Sequence, residues 1–421
     1  MQDHYDVIVV GAGASGIPAA IGAARQGAGV LLVEEDQQPG GACVDQYVAM
    51  INDTPGTRGG VFGDIISTLD GNYDITVGEV QAFWSQWFLP ADYLQVVSQL
   101  IREEPTLDLL CGVHNCRPSV DKGTVSGIVV DTRPGPEQRI TADVVVDATG
   151  SAEIAALAGA ETRYGREAKE EFGESIAENT ADEKVQLCTW QYISQNIRAD
   201  EGFRMKGVNA RPLESGYGWL SEDDEGWDRA ADLYLHWGCR VRCEDTRNPA
   251  AVSAAQHEAL SLMEDDHRIL RENGYAVHLA PKIGVRESRR LIGEYVITAD
   301  HLVDGLVPDD TIFVTGRGMD IWTEGKSNME EYPEVQPYGI PYRALVPREL
   351  DGLLVVGKAI SGTHLAMSAY RTQSIVGYVG EAGGVAAAIC SDLGTWPREL
   401  DHDRLIKTLR EPPHNIDITG K

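Results

Sequence analysis

The chain has 421 residues, enough for two or three domains with cores of their own, and at 43% hydrophobic content it is a globular chain and not a disordered one. Its formal net charge of −29, from 65 acids against 36 bases, repels phosphate backbones and anionic membranes, so no nucleic-acid or membrane partner is expected. No apolar run reads as a membrane span, and the start MQDHYDVIVV lacks the order of a secretion signal, so a cytoplasmic location is expected.

In chain order, the first signal is VIVVGAGASGIPAAIGAARQGAGVLLVEE, residues 7–35. It predicts a strand over Tyr5–Val10, a small-residue helix over Ala14–Gln26 and a second strand over Gly29–Glu34. Gly11, Gly13 and Gly16 form G-x-G-x-x-G at the strand-to-helix turn, with Ala14 and Ser15 inside it. In such a turn the first glycine allows the tight bend, the second lets a diphosphate approach the backbone, and the third lets the helix pack on the strand. The helix start offers unpaired N–H groups to negative charge. Glu34, followed by Glu35, ends the second strand where a carboxylate can accept ribose hydroxyls. The spacing predicts dinucleotide binding. A glycine turn that only packs a βαβ unit would leave the acid unexplained.

A glycine-rich passage follows (residues 39–60), then the aromatic patch FWSQWF, whose Trp84 and Trp87 read as core aromatics or as substrate contacts. PADYLQVVSQLIREEP, residues 90–105, predicts a helix bounded by prolines. Residues 107–113, 124–132 and 142–150 read as strands. Acidic loops and mixed segments fill about 160–345. LLVVGKAI, 353–360, then reads as a buried strand, and 370–390 as a helix of small residues. The arrangement predicts an α/β chain with a Rossmann-like dinucleotide domain split over 1–160 and 346–395. An α+β unit is inserted at 161–345, and 396–421 is expected to be a surface tail.

After the second strand the chain does not continue in regular βαβ units, as a nicotinamide domain would. Instead EEDQQPGGAC leads away with paired glycines, VVVDATG ends at Gly150, and 353–360 returns to the same sheet. In these residues, together with 284–298, 338–347 and 353–389, the sequence resembles the FAD-dependent oxidoreductases of the glutathione-reductase-like fold. The branch it most resembles is that of fumarate-reductase-type and related flavoprotein domains. The resemblance covers the two ends and leaves about 165–280 unassigned. It implies FAD as cofactor, with Gly11–Gly16 at the diphosphate and Glu34 and its neighbour Glu35 at the adenosine ribose. It also implies Gly41, Ala42 and Cys43 along the ribityl chain and flavin edge, Val113 at the adenine, and Ala148 and Gly150 beside the diphosphate. Gly357 and the segment from Arg371 to Ser374 and Ile375 would face the ribityl and pyrimidine end. A helix start aimed at that end would stabilise the charge of reduced flavin.

Other constellations carry weaker signals. His364 falls in the segment that this resemblance places beside the flavin, where it would exchange a proton, and is otherwise a satisfied loop histidine. Arg286, Arg289 and Arg290 are the densest basic cluster. Arg286 and Arg289, on one face at helical spacing, could hold a substrate carboxylate, or the cluster could pair with Glu287 or Glu294. Tyr338, Tyr342 and Arg343 either line the cavity floor or form a crossover. The seven cysteines are an odd number in a chain without a leader, which argues against a disulfide framework. Val48 stands where a dithiol partner for Cys43 would be needed, Cys111 and Cys116 lie away from the expected flavin face, and Cys239 and Cys243 could share a helical face without a second metal-ligand pair. No metal is expected.

The expected function is hydride transfer between a small or medium polar metabolite and flavin N5, with His364 or a tyrosine handling the proton and the arginines favouring an acidic substrate. O₂ or an electron carrier would serve as acceptor, since no second G-x-G-x-x-G marks a nicotinamide domain. An FAD monooxygenase is the alternative enzyme, disfavoured because Lys358 follows Gly357 where hydroxylases carry Gly-Asp. A non-catalytic nucleotide-fold binding or escort module is the alternative of another class.

Overall fold

The structure, a computed structural model, describes residues 2–53, 59–73, 84–132, 135–198, 210–212, 233–323, 326–327 and 332–419. Its largest sheet grows from the apolar runs identified above. Strand β1 (His4–Val10) pairs in parallel with β2 (Val30–Val33), Val7 opposite Val30. Strand β2 pairs in parallel with β3 (Leu107–Leu110). On its other side β1 pairs in parallel with the long strand Gln138–Asp147. Before that strand come β4 (Asn115–Asp121) and β5 (Thr124–Asp131), so the long strand is β6. The order is β3-β2-β1-β6-β5-β4. The first half of β6 pairs antiparallel with β5. Its second half pairs in parallel with β7 (Leu353–Val355), which returns across more than 200 residues of chain.

Side chains alternate across this sheet as strand periodicity requires. Val7, Val9, Val30, Leu32, Val144 and Val146 enter one hydrophobic cluster; Ile8, Val10, Leu31, Val33 and Val145 enter another on the opposite face. The first cluster is covered by helix α1 (Gly16–Arg25) and by the helix Gln373–Leu393. Helices α2 (Ala42–Asp45) and α3 (Pro90–Glu103) are among those that lie between them in sequence, and the long helix is labelled α4. Small residues let α1 and α4 touch backbone to backbone. A Cβ on Gly384 would overlap the carbonyl oxygen of Ala19, and one on Gly380 that of Ser15. α4 is long and apolar enough to cross a membrane, but 94% of its apolar window is buried in the protein, so it is a core helix.

A second, antiparallel sheet joins Ala210–Pro212, Leu233–His236, Tyr192–Asn196 and Tyr275–Leu279. With the helices Pro249–Leu262 and Glu264–Glu272 it surrounds its own core of Trp190, Tyr192, Tyr234 and Tyr275. Residues Ile297, Phe313, Tyr338, Ile340 and Tyr342 instead join the core of α1 and α4.

Three local expectations differ from the structure. The helix expected over 370–390 runs from Gln373 to Leu393 as α4, and Tyr370 instead ends a separate helix, His364–Tyr370, with Arg371 and Thr372 between the two. Thr372 takes extended backbone (φ −69°, ψ 151°) and starts the second helix. The C-terminal residues are not a loose tail. The amphipathic helix His402–Arg410 buries Leu405 and Leu409, and His414 is fully buried with its Nδ1 2.6 Å from Glu381 Oε1 on α4. The segment 285–289 is not helical, which separates the arginines expected on one face.

The α1–α4 contact has no space for a methyl group. Gly384→Ala should destabilise the protein by about 1–3 kcal/mol, although alanine is the better helix former by ~1 kcal/mol. Urea unfolding monitored by circular dichroism checks this, and an unchanged midpoint would contradict the packing described.

Candidate flavin site

At the end of β1 the chain turns through Gly11, whose φ of +103° is glycine territory. A Cβ there would lie 2.6 Å from the carbonyl oxygen of Ala148 on the neighbouring turn. Gly13 and Gly41 meet so closely that a Cβ on Gly41 would sit 2.8 Å from the Cα of Gly13. The loop after β2 thus closes over the start of α1 without side chains between them. Glu34, only 7% exposed, holds the turn open: its Oε2 accepts the Ala12 N–H at 2.6 Å and its Oε1 the Asp36 N–H at 3.0 Å. A carboxylate has roughly four acceptor positions, so capacity remains for sugar hydroxyls. Burial raises the Glu34 pKa above the usual carboxylate range.

From this turn a crevice of about 1170 Å³ runs between the large sheet and the 161–345 segment. Of the residues assigned above to the cofactor, Gly11, Gly13, Ala14, Ser15, Glu34, Glu35, Gly41, Ala42, Val113, Ala148, Gly150 and Arg371 line it. Gly16, Cys43, Gly357, Ser374 and Ile375 do not; they stand behind the wall. Cys43 is buried, its Sγ accepting from Gln373 Nε2 at 3.1 Å, and burial pushes its thiol up to about 12. The end of the crevice nearest α4 is met by Arg371, Thr372, Gln373 and Val376, so the break before α4 opens the helix start onto the cavity.

Near Glu34 the wall is acidic. Lys282 answers it, with Nζ 2.5 Å from Asp36 and 3.4 Å from Glu35. Asp45, buried beside Asp36, is held well above the usual carboxylate range by burial and by that neighbouring charge. The far end is cationic. Arg286 donates to Leu187 O at 2.7 Å and to Thr189 Oγ1 at 2.6 Å. Arg371 donates to Asp320 O at 3.0 Å and lies 3.6 Å from its carboxylate. Burial brings Arg286 down to about 9. Burial, with Arg371 nearby, brings Lys358 down to about 8. Lys358 Nζ lies 3.1 Å from where a Cβ on Gly150 would be, so it joins the two ends.

The wall carries buried acceptors that the chain leaves unused: Gln191 Oε1, on a residue only 5% exposed, and Gln373 Oε1. A bare glycine turn, a ribose-facing acid, orphaned amide oxygens and a cationic far end fit a dinucleotide whose ring needs hydrogen-bond partners.

The family described as FAD dependent oxidoreductase matches this chain over residues 6–411. The chain belongs to that family. The protein is an FAD-dependent oxidoreductase, and FAD is its cofactor. No protein of curated function matches the chain. Among solved structures, this oxidoreductase is similar to a geranylgeranyl bacteriochlorophyll reductase-like protein from Thermoplasma acidophilum, with 12% identity, 97% of this chain and 83% of that one covered and a TM-score of 0.46. It is also similar to the myxobacterial chondrochloren halogenase CndH (14% identity, 96% and 78% covered, TM-score 0.40). A third is the anhydrotetracycline hydroxylase OxyS from Streptomyces rimosus (14% identity, 96% and 64% covered, TM-score 0.42). Likenesses this loose carry no chemistry from one protein to another.

The residues expected to do chemistry in the oxidoreductase divide sharply. Arg286 lines the crevice. Arg289 does not line it but pairs with the lining residue Glu153 at 2.6 Å. Arg290 is buried in a polar knot, donating to Gly362 O, Gly165 O, Glu167 and Glu287. His364 belongs to the same knot. Its Nδ1 lies 2.9 Å from Glu287 Oε1 and its backbone N–H donates to Glu167, so it is not at the crevice wall. Tyr338 and Tyr342 are buried too: Tyr338 donates to Arg317 O at 3.2 Å and Tyr342 to Pro397 O at 2.9 Å. Arg343 makes a two-pronged pair with Asp310. Cys239 and Cys243 flank a short strand and not a helix, Cys243 lying against Cys188. All seven cysteines are free. The side chains of Trp84 and Trp87 lie outside the described residues.

Lys282, Lys358, Gln191, Arg317, Asp320 and Trp322 also line the crevice, and sequence reasoning missed them as site residues. Five of the six lie in the 161–345 segment, with no motif around them. Lys358 was visible only as the residue that replaces an aspartate.

Within the knot, burial works against the Glu287 charge, but His364 and Arg290 outweigh it and hold its pKa below the usual range. Removing the shared acid would leave the buried His364 Nδ1 without its partner and Arg290, 1% exposed, with Glu167 as its remaining acid. Glu287→Ala should therefore cost about 3–5 kcal/mol in urea unfolding. A loss below ~1 kcal/mol would show that the knot does not hold the fold.

Proposed function

We propose that the oxidoreductase moves a hydride between a small or medium polar metabolite and the flavin, both lodged in the one crevice. The observation that carries this reading is the continuity of the cavity. It runs from the glycine turn, past Lys358, to a far end walled by Arg286, Trp322 and Arg371. The first half would hold the cofactor: Gly11 to Ser15 the diphosphate, Glu34 the ribose, Val113 the adenine. Gly41, Ala42, Thr372 and Gln373 would hold the flavin end. FAD, when bound, supplies hydride exchange at N5. The residues of the 161–345 segment that line the far half would cap the ring and exclude water, as a substrate domain does. The narrower kinship with glutathione-reductase-like and fumarate-reductase-type flavoproteins rests on the motifs at the two ends of the chain. A cytoplasmic setting is consistent with seven free cysteines.

The proton that accompanies the hydride needs a group other than His364, Tyr338 or Tyr342, which are engaged behind the wall. Lys358 fits: it lines the crevice between its two halves, and its pKa is brought down to about 8. A neutral amine there accepts a proton from substrate, and an ammonium returns it.

The decisive experiment is anaerobic. Purified protein should carry flavin absorbance, and mixing it with a panel of polar metabolites should bleach that absorbance for the true substrate class. A panel that never bleaches it, together with product oxygen derived from ¹⁸O₂ in air, would replace this reading with monooxygenation. Gly11→Val should abolish flavin content, since the turn has no space for a side chain. For substrate oxidation, kcat/KM should rise with pH with a midpoint at or above about 8, because Lys358 must lose its proton first. Lys358→Met should remove that rise and slow turnover by about 10²-fold or more. A pH profile unchanged in the variant would clear Lys358 of the role.

A further inference from the structure

Two of the seven free cysteines meet side chain to side chain. The short strand Cys188–Thr189 pairs antiparallel with Arg240–Val241, Cys188 opposite Val241. Cys243 lies two residues past Val241, a spacing that returns its side chain to the face Cys188 shares. The two sulfurs are in hydrogen-bond contact, Cys188 donating and Cys243 accepting. Both belong to the core around Trp190 and Tyr192, Cys188 fully buried and Cys243 5% exposed.

The pair stands directly behind the crevice wall. Thr189 and Arg286 line the crevice, and Arg286 donates to Leu187 O and Thr189 Oγ1 on either side of Cys188. The charges of Arg286 and Lys358 both act on the Cys188 sulfur. The thiolate is the form of cysteine that attacks an oxidant. The Cys188 S–H and the Asp245 N–H hold the Cys243 thiol below its ordinary range, against burial and the charges of Glu244 and Asp245. Burial pushes the other five thiols up, Cys43, Cys116 and Cys390 to about 12 and Cys111 and Cys239 to about 11. Cys111, Cys116 and Cys239 are nevertheless more exposed than the pair.

We infer that Cys188 and Cys243 are an oxidation site of this protein, a dithiol that hydrogen peroxide converts to a disulfide behind the crevice wall. The Cys243 thiolate attacks one peroxide oxygen and the O–O bond breaks. The other oxygen leaves as hydroxide and takes up the proton that Cys243 gave off, making one water. Cys188 then attacks the sulfur of the resulting sulfenic acid, the S–S bond forms, and the departing hydroxyl takes the Cys188 proton as the second water. Two thiols are oxidised by two electrons and one peroxide is reduced to two waters. The sulfurs must close to about 2 Å, and Cys243 can supply that movement because the strand ladder ends at Val241. A reduced flavin that passes its electrons to O₂ releases peroxide, so a flavin in this crevice would place the oxidant next to the pair. The dithiol does not depend on that source, since added peroxide is enough to close it.

The test uses the reduced full-length protein with its flavin, exposed near neutral pH to a few equivalents of hydrogen peroxide. Remaining thiols are then alkylated in denaturant and mapped by peptide mass spectrometry. Cys188 and Cys243 should disappear together into one cross-linked peptide that dithiothreitol releases. Their thiols should be lost about tenfold or more faster than those of Cys111, Cys116 and Cys239. Cys188→Ser should leave Cys243 as a sulfenic acid that dimedone traps, and Cys243→Ser should leave Cys188 a thiol. Oxidation that follows exposure, consuming Cys111, Cys116 or Cys239 while Cys188 and Cys243 still alkylate, would overturn the inference. So would Cys243 oxidised to sulfinic acid with Cys188 intact, or either cysteine bridged to a different partner. The unmodified sequence alone decides these outcomes, whether or not the variants fold.

Discussion

Two helices from opposite ends of the chain lie backbone against backbone. The contact of α1 with α4, made possible by Gly22, Gly380 and Gly384, brings the glycine turn at Gly11–Gly16 to the same edge of the sheet as Lys358, Arg371 and the start of α4. Every other feature of the site depends on this closeness. A larger side chain in the contact would separate the helices and open the crevice between the glycine turn and the start of α4. β7 adds the second tie, pairing with the end of β6 so that residues 353–360 enter the fold next to Asp147–Gly150.

Charge differs between the two ends of the crevice. Near the glycine turn, Glu34, Glu35, Asp36 and Asp45 are offset by Lys282. At the far end Arg286, Arg317 and Arg371 line the wall, and burial lowers the affinity of Arg286 and Arg371 for protons. The acidic surface of the protein makes this contrast stronger. Behind that end, the knot of Arg290, Glu167, Glu287 and His364 ties the 161–345 segment to the helix that begins at His364. Its four groups satisfy one another, which keeps them away from chemistry and sets the positions of Arg286 and Arg371 on either side.

Much of the nucleotide half was legible in the residues. The turn at Gly11–Gly16, the acid at Glu34, the paired glycines at 40–41 and the Asp147–Gly150 turn are local patterns. Backbone approach and the sign of charge at a helix start are properties of a few neighbouring positions. His364 and the tyrosines were misplaced because their environment is not local. A histidine one residue after a threonine that caps a helix looks accessible until Glu287 and Glu167 arrive from elsewhere. Arg286 and Arg289 were expected on one helical face because their spacing allows it, but the chain there is not helical, and the two side chains meet different partners, Thr189 and Glu153.

By itself, then, the amino-acid order determined the class of fold, the dinucleotide turn and the small-residue helix that had to be buried. Each of these follows from periodicity, glycine placement or side-chain size over a short span. The cationic far end, the placement of Lys358 in the crevice wall and the burial of the C-terminal helix were decided only by tertiary structure. They depend on groups far apart in sequence, such as Arg240 and Arg371 or Glu381 and His414, sharing one low-dielectric space, where burial and mutual charge change what each group can do.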